Sequence, residues 1–104
     1  MAKNVQFIGV NKLEAFEQQI FNSELDRFFD KIGKVHNLEN AVVHLKRYSK
    51  TGKRHKNSLH CRISLSGKMF TAKAVEWNAE KALARCIKKL EKEISHKFKS
   101  KGLF

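Results

Sequence analysis

The chain opens on a β-branched and aromatic run, VQFIGV at 5–10, whose pattern predicts a first strand. Asn11 follows in a position to cap a helix. From 13 to about 32, Phe16, Ile20, Leu25, Phe28 and Ile32 recur near a helical period, and Glu14, Glu17, Glu24, Asp26 and Asp30 cover much of the other side. Gly33 lies where a helix-ending glycine is expected. After a polar linker at 36–40 the period falls to two. Ala41, Val43 and Leu45 alternate with Val42, His44 and Lys46 in a second strand, and Leu59, Cys61, Ile63 and Leu65 with His60, Arg62 and Ser64 in a third. Ser66-Gly67-Lys68 signals a tight turn. Phe70, Ala72 and Ala74 then alternate with Met69, Thr71 and Lys73 in a fourth strand. Asn78 is a good cap for a second helix, with an apolar line of Ala79, Leu83, Cys86, Leu90, Ile94 and Phe98. That helix frays near Lys99, and residues 100–104 form a short tail.

The order β-α-β-β-β-α predicts one α+β domain over residues 1–104. Its economical form is an antiparallel-rich four-stranded sheet with both helices packed on one face. The other face is then left to water. His44, Lys46, Tyr48, His60, Arg62, Ser64, Thr71 and Lys73 are expected to project from it together.

Charge gives that open face a purpose. Residues 1–40 hold five basic and six acidic side chains, whereas 41–104 hold 17 basic and four acidic, for a net +12 over 104 residues. A small domain with this asymmetry is built to meet a polyanion, and the commonest is RNA or DNA. At 41% hydrophobic residues the chain can fill a small core and is too apolar for a disordered basic tail. No apolar run approaches the ~18 residues of a membrane span, and no secretory signal is visible at the N-terminus. The expectation is a cytoplasmic protein with no membrane partner. Cys61 and Cys86 fall at apolar positions and are expected to be buried, reduced thiols.

The basic residues form three groups. On the second helix Lys81, Arg85, Lys88, Lys92 and Lys99 share one side, and Lys89, Lys97 and Lys101 add to its charge. Cations near a helix C-terminus are favourable, which accounts for part of this pattern but not for a row of like charges. Lys46, Arg62 and Lys73 belong to the outward side of the strands. Lys50, Lys53, Arg54 and Lys56 surround Gly52 in a connection at 49–58, expected to be a mobile basic finger that tracks phosphates. The histidines are scattered without a zinc-like spacing. No nucleophile stands beside a base at a recognisable spacing, and no phosphate-cradling glycine loop is present. The chain is therefore expected to be no enzyme, with no metal, cofactor or small-molecule substrate. Trp77 is expected to anchor the edge of the core.

Several segments resemble the ribosome hibernation promoting factors, also called ribosome-associated inhibitors or sigma-54 modulation proteins. They are the hairpin and strand SGKMFTAKAV, the junction Trp77-Asn78-Ala79-Glu80-Lys81-Ala82-Leu83, and the run IKKLEKEISHKFKSK. Leu90-Glu91-Lys92-Glu93-Ile94 stands in place of that family's lysine-rich helix end. The likeness is specific over about 67–101, and the chain resembles the short, single-domain type. It implies a translation inhibitor that lodges in the mRNA and tRNA decoding region of the small ribosomal subunit, contacts its rRNA through a basic face, and is monomeric off the ribosome. The 49–58 connection is more basic than that family usually shows.

Two other readings fit parts of the chain. A stand-alone double-stranded RNA-binding domain shares the α-β-β-β-α order, but usually clusters lysines at the start of its last helix, where this chain has only Lys81. An interaction module for an acidic protein partner would also use the basic side chains, and would bind without nucleic acid.

Overall fold

The computed structural model describes residues 5–49 and 55–98. Strand β1 (Val5–Ile8) leads through a single 3-10 turn, Val10–Lys12, into helix α1 (Ala15–Gly33). Strands β2 (Leu38–Ser49), β3 (His55–Leu65) and β4 (Lys68–Glu76) follow, and helix α2 (Ala79–Lys97) ends the described chain. The sheet order is β1-β2-β3-β4. The β2–β3 and β3–β4 pairs are antiparallel, while β1 runs parallel to β2. This mixed pairing follows from the connection, because a strand returning beside its predecessor through a helix crossover runs in the same direction.

Alternation decides which side of the sheet is buried. Ala41, Val43 and Leu45, with Leu59, Cys61, Ile63 and Leu65 and with Phe70, Ala72 and Ala74, all point into one core. Helix α2 covers them with Ala79, Ala82, Leu83, Cys86, Leu90 and Ile94. Asn78 caps α2 through its side-chain oxygen, which accepts from the Lys81 amide at 3.1 Å. The β3–β4 hairpin turns on Ser66 and Gly67, both at positive φ (49° and 81°), which gives the mirror-image turn that suits the strand twist. Gly9 (φ 82°) is obligatory for a second reason: a Cβ there would collide with the Leu45 carbonyl oxygen.

Four local expectations are corrected. Asn11 lies inside the 3-10 turn, and α1 is capped instead by Glu14 in a reciprocal capping box with Glu17. The buried face of α1 is Phe21, Leu25, Phe28, Phe29 and Ile32. At 100° per residue Phe16 sits roughly 160° from the centre of that face, and it is 63% exposed. Gly33 is the last helical residue, followed by Lys34 in ordinary right-handed conformation, so the helix does not end on a left-handed glycine. Finally, β2 begins at Leu38, inside the expected linker, and β2 and β3 extend to pair Ser49 with His55. Half of the long 49–58 connection, Ser49 and His55 to Ser58, is thus ladder. Its remaining residues, with Lys50, Gly52, Lys53 and Arg54, lie outside the described residues, as do Lys99, Lys101 and the 100–104 tail.

The extension of β2 and β3 closes one end of the core with polar groups. Arg47, Asn57 and Glu76 lie in one inward row across three strands. Asn57 is fully buried; its oxygen accepts from Arg47 Nε at 2.8 Å, and its amide nitrogen donates to the carbonyls of Glu76 (3.4 Å) and Trp77 (3.0 Å). Arg47 continues to Glu17 of α1 at 3.0 Å, and Glu76 to Arg85 of α2 at 2.8 Å. The row ties both helices to the end of the sheet. Trp77 takes part through its backbone carbonyl, and its side chain is half-exposed.

Candidate nucleic-acid interface

The ladder registers give the open face of the sheet row by row. Asn40, Ser64 and Met69 form one row; Gln6, Val42, Arg62 and Thr71 the next; then Ile8, His44, His60 and Lys73; then Lys46, Ser58 and Val75; and last Tyr48 with Lys56. Rows two residues apart on a strand are about 6.6 Å apart. Lys46, Lys56, Arg62 and Lys73 are all exposed, each in a different row. No carboxylate occupies these rows among the described residues. The apolar members Ile8, Tyr48, Met69 and Val75 are exposed between the cations. Such a face offers charge for phosphates, and apolar and aromatic surface for sugars and bases.

Helix α2 carries the second group. Lys81, Arg85, Lys88, Lys89, Lys92 and Lys97 are exposed. The ridge of Lys81, Arg85, Lys88 and Lys92 lies on the side of the helix away from its buried line. The flanks of this ridge differ. On one side Glu91 pairs with Lys31 of α1 at 3.2 Å. On the other, Lys89 Nζ donates to the Lys73 carbonyl of β4 at 2.6 Å. Arg85 is partly spoken for by Glu76, so Lys81, Lys88 and Lys92 supply the ridge's uncommitted charge.

The two groups therefore sit on opposite sides of a two-layer molecule and meet over the β4 edge. There a notch of about 350 Å³ is lined by His60, Thr71, Lys73, Lys89, Lys92 and Glu93, together with Ala72. Of the sequence-predicted residues, Lys46, Lys56, Arg62 and Lys73 share the open face, and Lys89 and Lys92 join them at the notch. Lys81, Arg85 and Lys88 continue along the helix, while Lys97 lies in its last turn. Sequence reasoning missed Arg47 and Asn57, which support this surface from below. Their signal was two polar residues in phase with the inward sets of β2 and β3.

The two cysteines belong to the core and not to the surface. Both are buried and free, and Cys86 Sγ lies 3.5 Å from the Leu59 carbonyl oxygen, to which it donates. The hydrogen bond to Cys86, together with burial, pushes the Cys61 thiol well above the usual range and keeps it protonated. No group of three or more His, Cys, Asp or Glu side chains placed to hold a metal occurs among the described residues. No helix among them is long and apolar enough to cross a membrane.

This architecture has a solved counterpart. The crystal structure of the Thermus thermophilus Protein Y N-terminal domain superposes with a TM-score of 0.60 at 17% identity, covering 92% of this chain and 98% of that one. At that identity the likeness speaks for the fold. No curated protein sequence matches the chain. The family model described as hibernation factor Hib, C-terminal domain, matches residues 4–102. The chain belongs to this hibernation factor family, and its function lies in ribosome hibernation.

Proposed function

We propose that the chain silences translation by binding the small ribosomal subunit in its mRNA and tRNA decoding region, with the basic surface laid against rRNA. The observation that carries this reading is the continuity of that surface. An open sheet face whose paired rows hold no carboxylate among the described residues runs over the β4 edge into the lysine ridge of α2. A strand-like ligand meets charge on one side of such a molecule, while a folded RNA cleft meets it on two sides and an edge. Family membership supports the ribosome as the partner. Affinity then comes mainly from phosphate contacts, and selection from the shape of the cleft.

In this reading residues 1–104 act as one ribosome-binding domain in the cytoplasm, monomeric off the ribosome. It works by occupancy, without catalysis or a cofactor. The RNA-contacting set is Lys46, Lys56, Arg62, Lys73, Lys81, Arg85, Lys88, Lys89, Lys92 and Lys97, extended by Lys50, Lys53, Arg54, Lys99 and Lys101. Chemical footprinting of small-subunit rRNA tests the placement. Saturating protein is expected to protect decoding-region nucleotides and to be displaced by mRNA together with tRNA. Protection confined to the solvent side of the subunit, with no competition, would remove the decoding-region assignment.

A further inference from the structure

The notch at the β4 edge combines two kinds of cation. Lys73, Lys89 and Lys92 bring ammonium groups and His60 an imidazole, and imidazole is as a class the side chain whose charge responds to pH near neutrality. Its surroundings are defined on every side. Across the ladder it faces His44 on β2 and Lys73 on β4. Arg62 and Ser58 flank it on β3, Lys46 and Val42 lie diagonally on β2, and Thr71 and Val75 lie diagonally on β4. From α2, Lys89, Lys92 and Glu93 line the other wall of the notch. Thr71 contributes a hydroxyl, which can donate to a phosphate oxygen. Lys89 reaches across the seam to the Lys73 carbonyl, and this holds its ammonium at the notch.

We infer that this notch seats a backbone phosphate of RNA, held by Lys73, Lys89, Lys92 and His60, and that the seat makes ribosome binding tighter as pH falls. The inference rests on the proposed RNA-binding function and adds to it a defined subsite and a regulatory input. The sign follows from linkage. A phosphate beside an imidazole favours the charged ring, so binding takes up a proton and becomes stronger at lower pH. One linked proton changes affinity by at most about tenfold per pH unit. His44, directly opposite His60, lies one strand further from the notch and makes a smaller contribution.

Two measurements at fixed ionic strength test this. The first is the Kd for purified small ribosomal subunits at pH 5.8 and 7.8, for the native chain and for His60→Gln, Lys73→Gln and His96→Gln. The expected result is about fivefold tighter binding of the native chain at the lower pH. His60→Gln is expected to lose most of that ratio, Lys73→Gln to weaken binding at both pH values, and His96→Gln to keep the native ratio. An unchanged ratio in His60→Gln overturns the inference and leaves small-subunit binding standing. The second follows the His60 ring signal by NMR as oligouridylate, inorganic phosphate or an RNA duplex is added. Movement of that signal with oligouridylate while the small subunit goes unbound would keep the seat and reject the small subunit as partner. Movement with inorganic phosphate alone would overturn the assignment to an RNA backbone, and a signal unmoved by all three probes would overturn the seat.

Discussion

Asn57 shows how a single polar residue organises the end of this core. It is fully buried, yet its amide satisfies Arg47 and two backbone carbonyls at the β4–α2 junction. A hydrophobic residue of similar size would leave those groups unpaired in a dry environment, which is more costly than the lost bonds themselves. Asn57→Ala is expected to destabilise the fold by about 2–3 kcal/mol, read as a lower midpoint in urea unfolding. A midpoint within error of the native chain would mean that water replaces the side chain at no cost, and that the row does not tie the helices to the sheet. The Arg47–Glu17 pair is only partly exposed and shares this network, so its loss would couple to that of Asn57 and the two effects would not add.

At the scale of elements, the apolar alternation of β2, β3 and β4 and the periodicity of α2 were legible in the sequence, because one buried face demands a strict pattern. The Asn78 cap and the Ser66-Gly67 turn were legible for the same local reason. The ends of β2 and β3 were not, since beyond Leu45 and before Leu59 the inward positions are Arg47 and Asn57. A charged, glycine-containing stretch reads as loop, while ladder pairing and a polar row keep its two described flanks, up to Ser49 and from His55, in the sheet. Helix α1 misled in another way. Phe16 mimics the spacing of a core residue, but the face is set by Phe21, Leu25, Phe28, Phe29 and Ile32, and Phe16 falls on the far side.

The basic ridge of α2 was readable as a row of charges. Its position relative to the sheet was not, because that depends on which strands the buried line of α2 covers, a matter of tertiary packing that the helical period leaves open. Lys88→Gln combined with Lys92→Gln removes two uncommitted charges and leaves the core untouched. The slope of log K against log salt is expected to fall by about 1.5, with thermal unfolding unchanged. An unaltered slope would take the ridge out of the interface and leave binding to the open face.

The whole molecule separates its charge. Helix α1 gathers five of the chain's acidic residues in or beside it (Glu14, Glu17, Glu24, Asp26 and Asp30), while β2, β3, β4 and α2 carry most of the cations among the described residues. Two of these carboxylates act internally: Glu14 and Glu17 form the capping box, and Glu17 also meets Arg47. The rest give the molecule a polarity that orients it in the field of a polyanion, with the β4 edge and its two adjoining surfaces leading. That orientation is the central claim, and sucrose-gradient co-sedimentation tests it most directly. Purified protein is mixed with separated small and large ribosomal subunits at low and high salt. The expected result is co-migration with the small subunit alone, lost at high salt and displaced by mRNA with tRNA. Equal association with both subunits and with plain duplex RNA would contradict the account and reduce the basic surface to a general attraction for RNA.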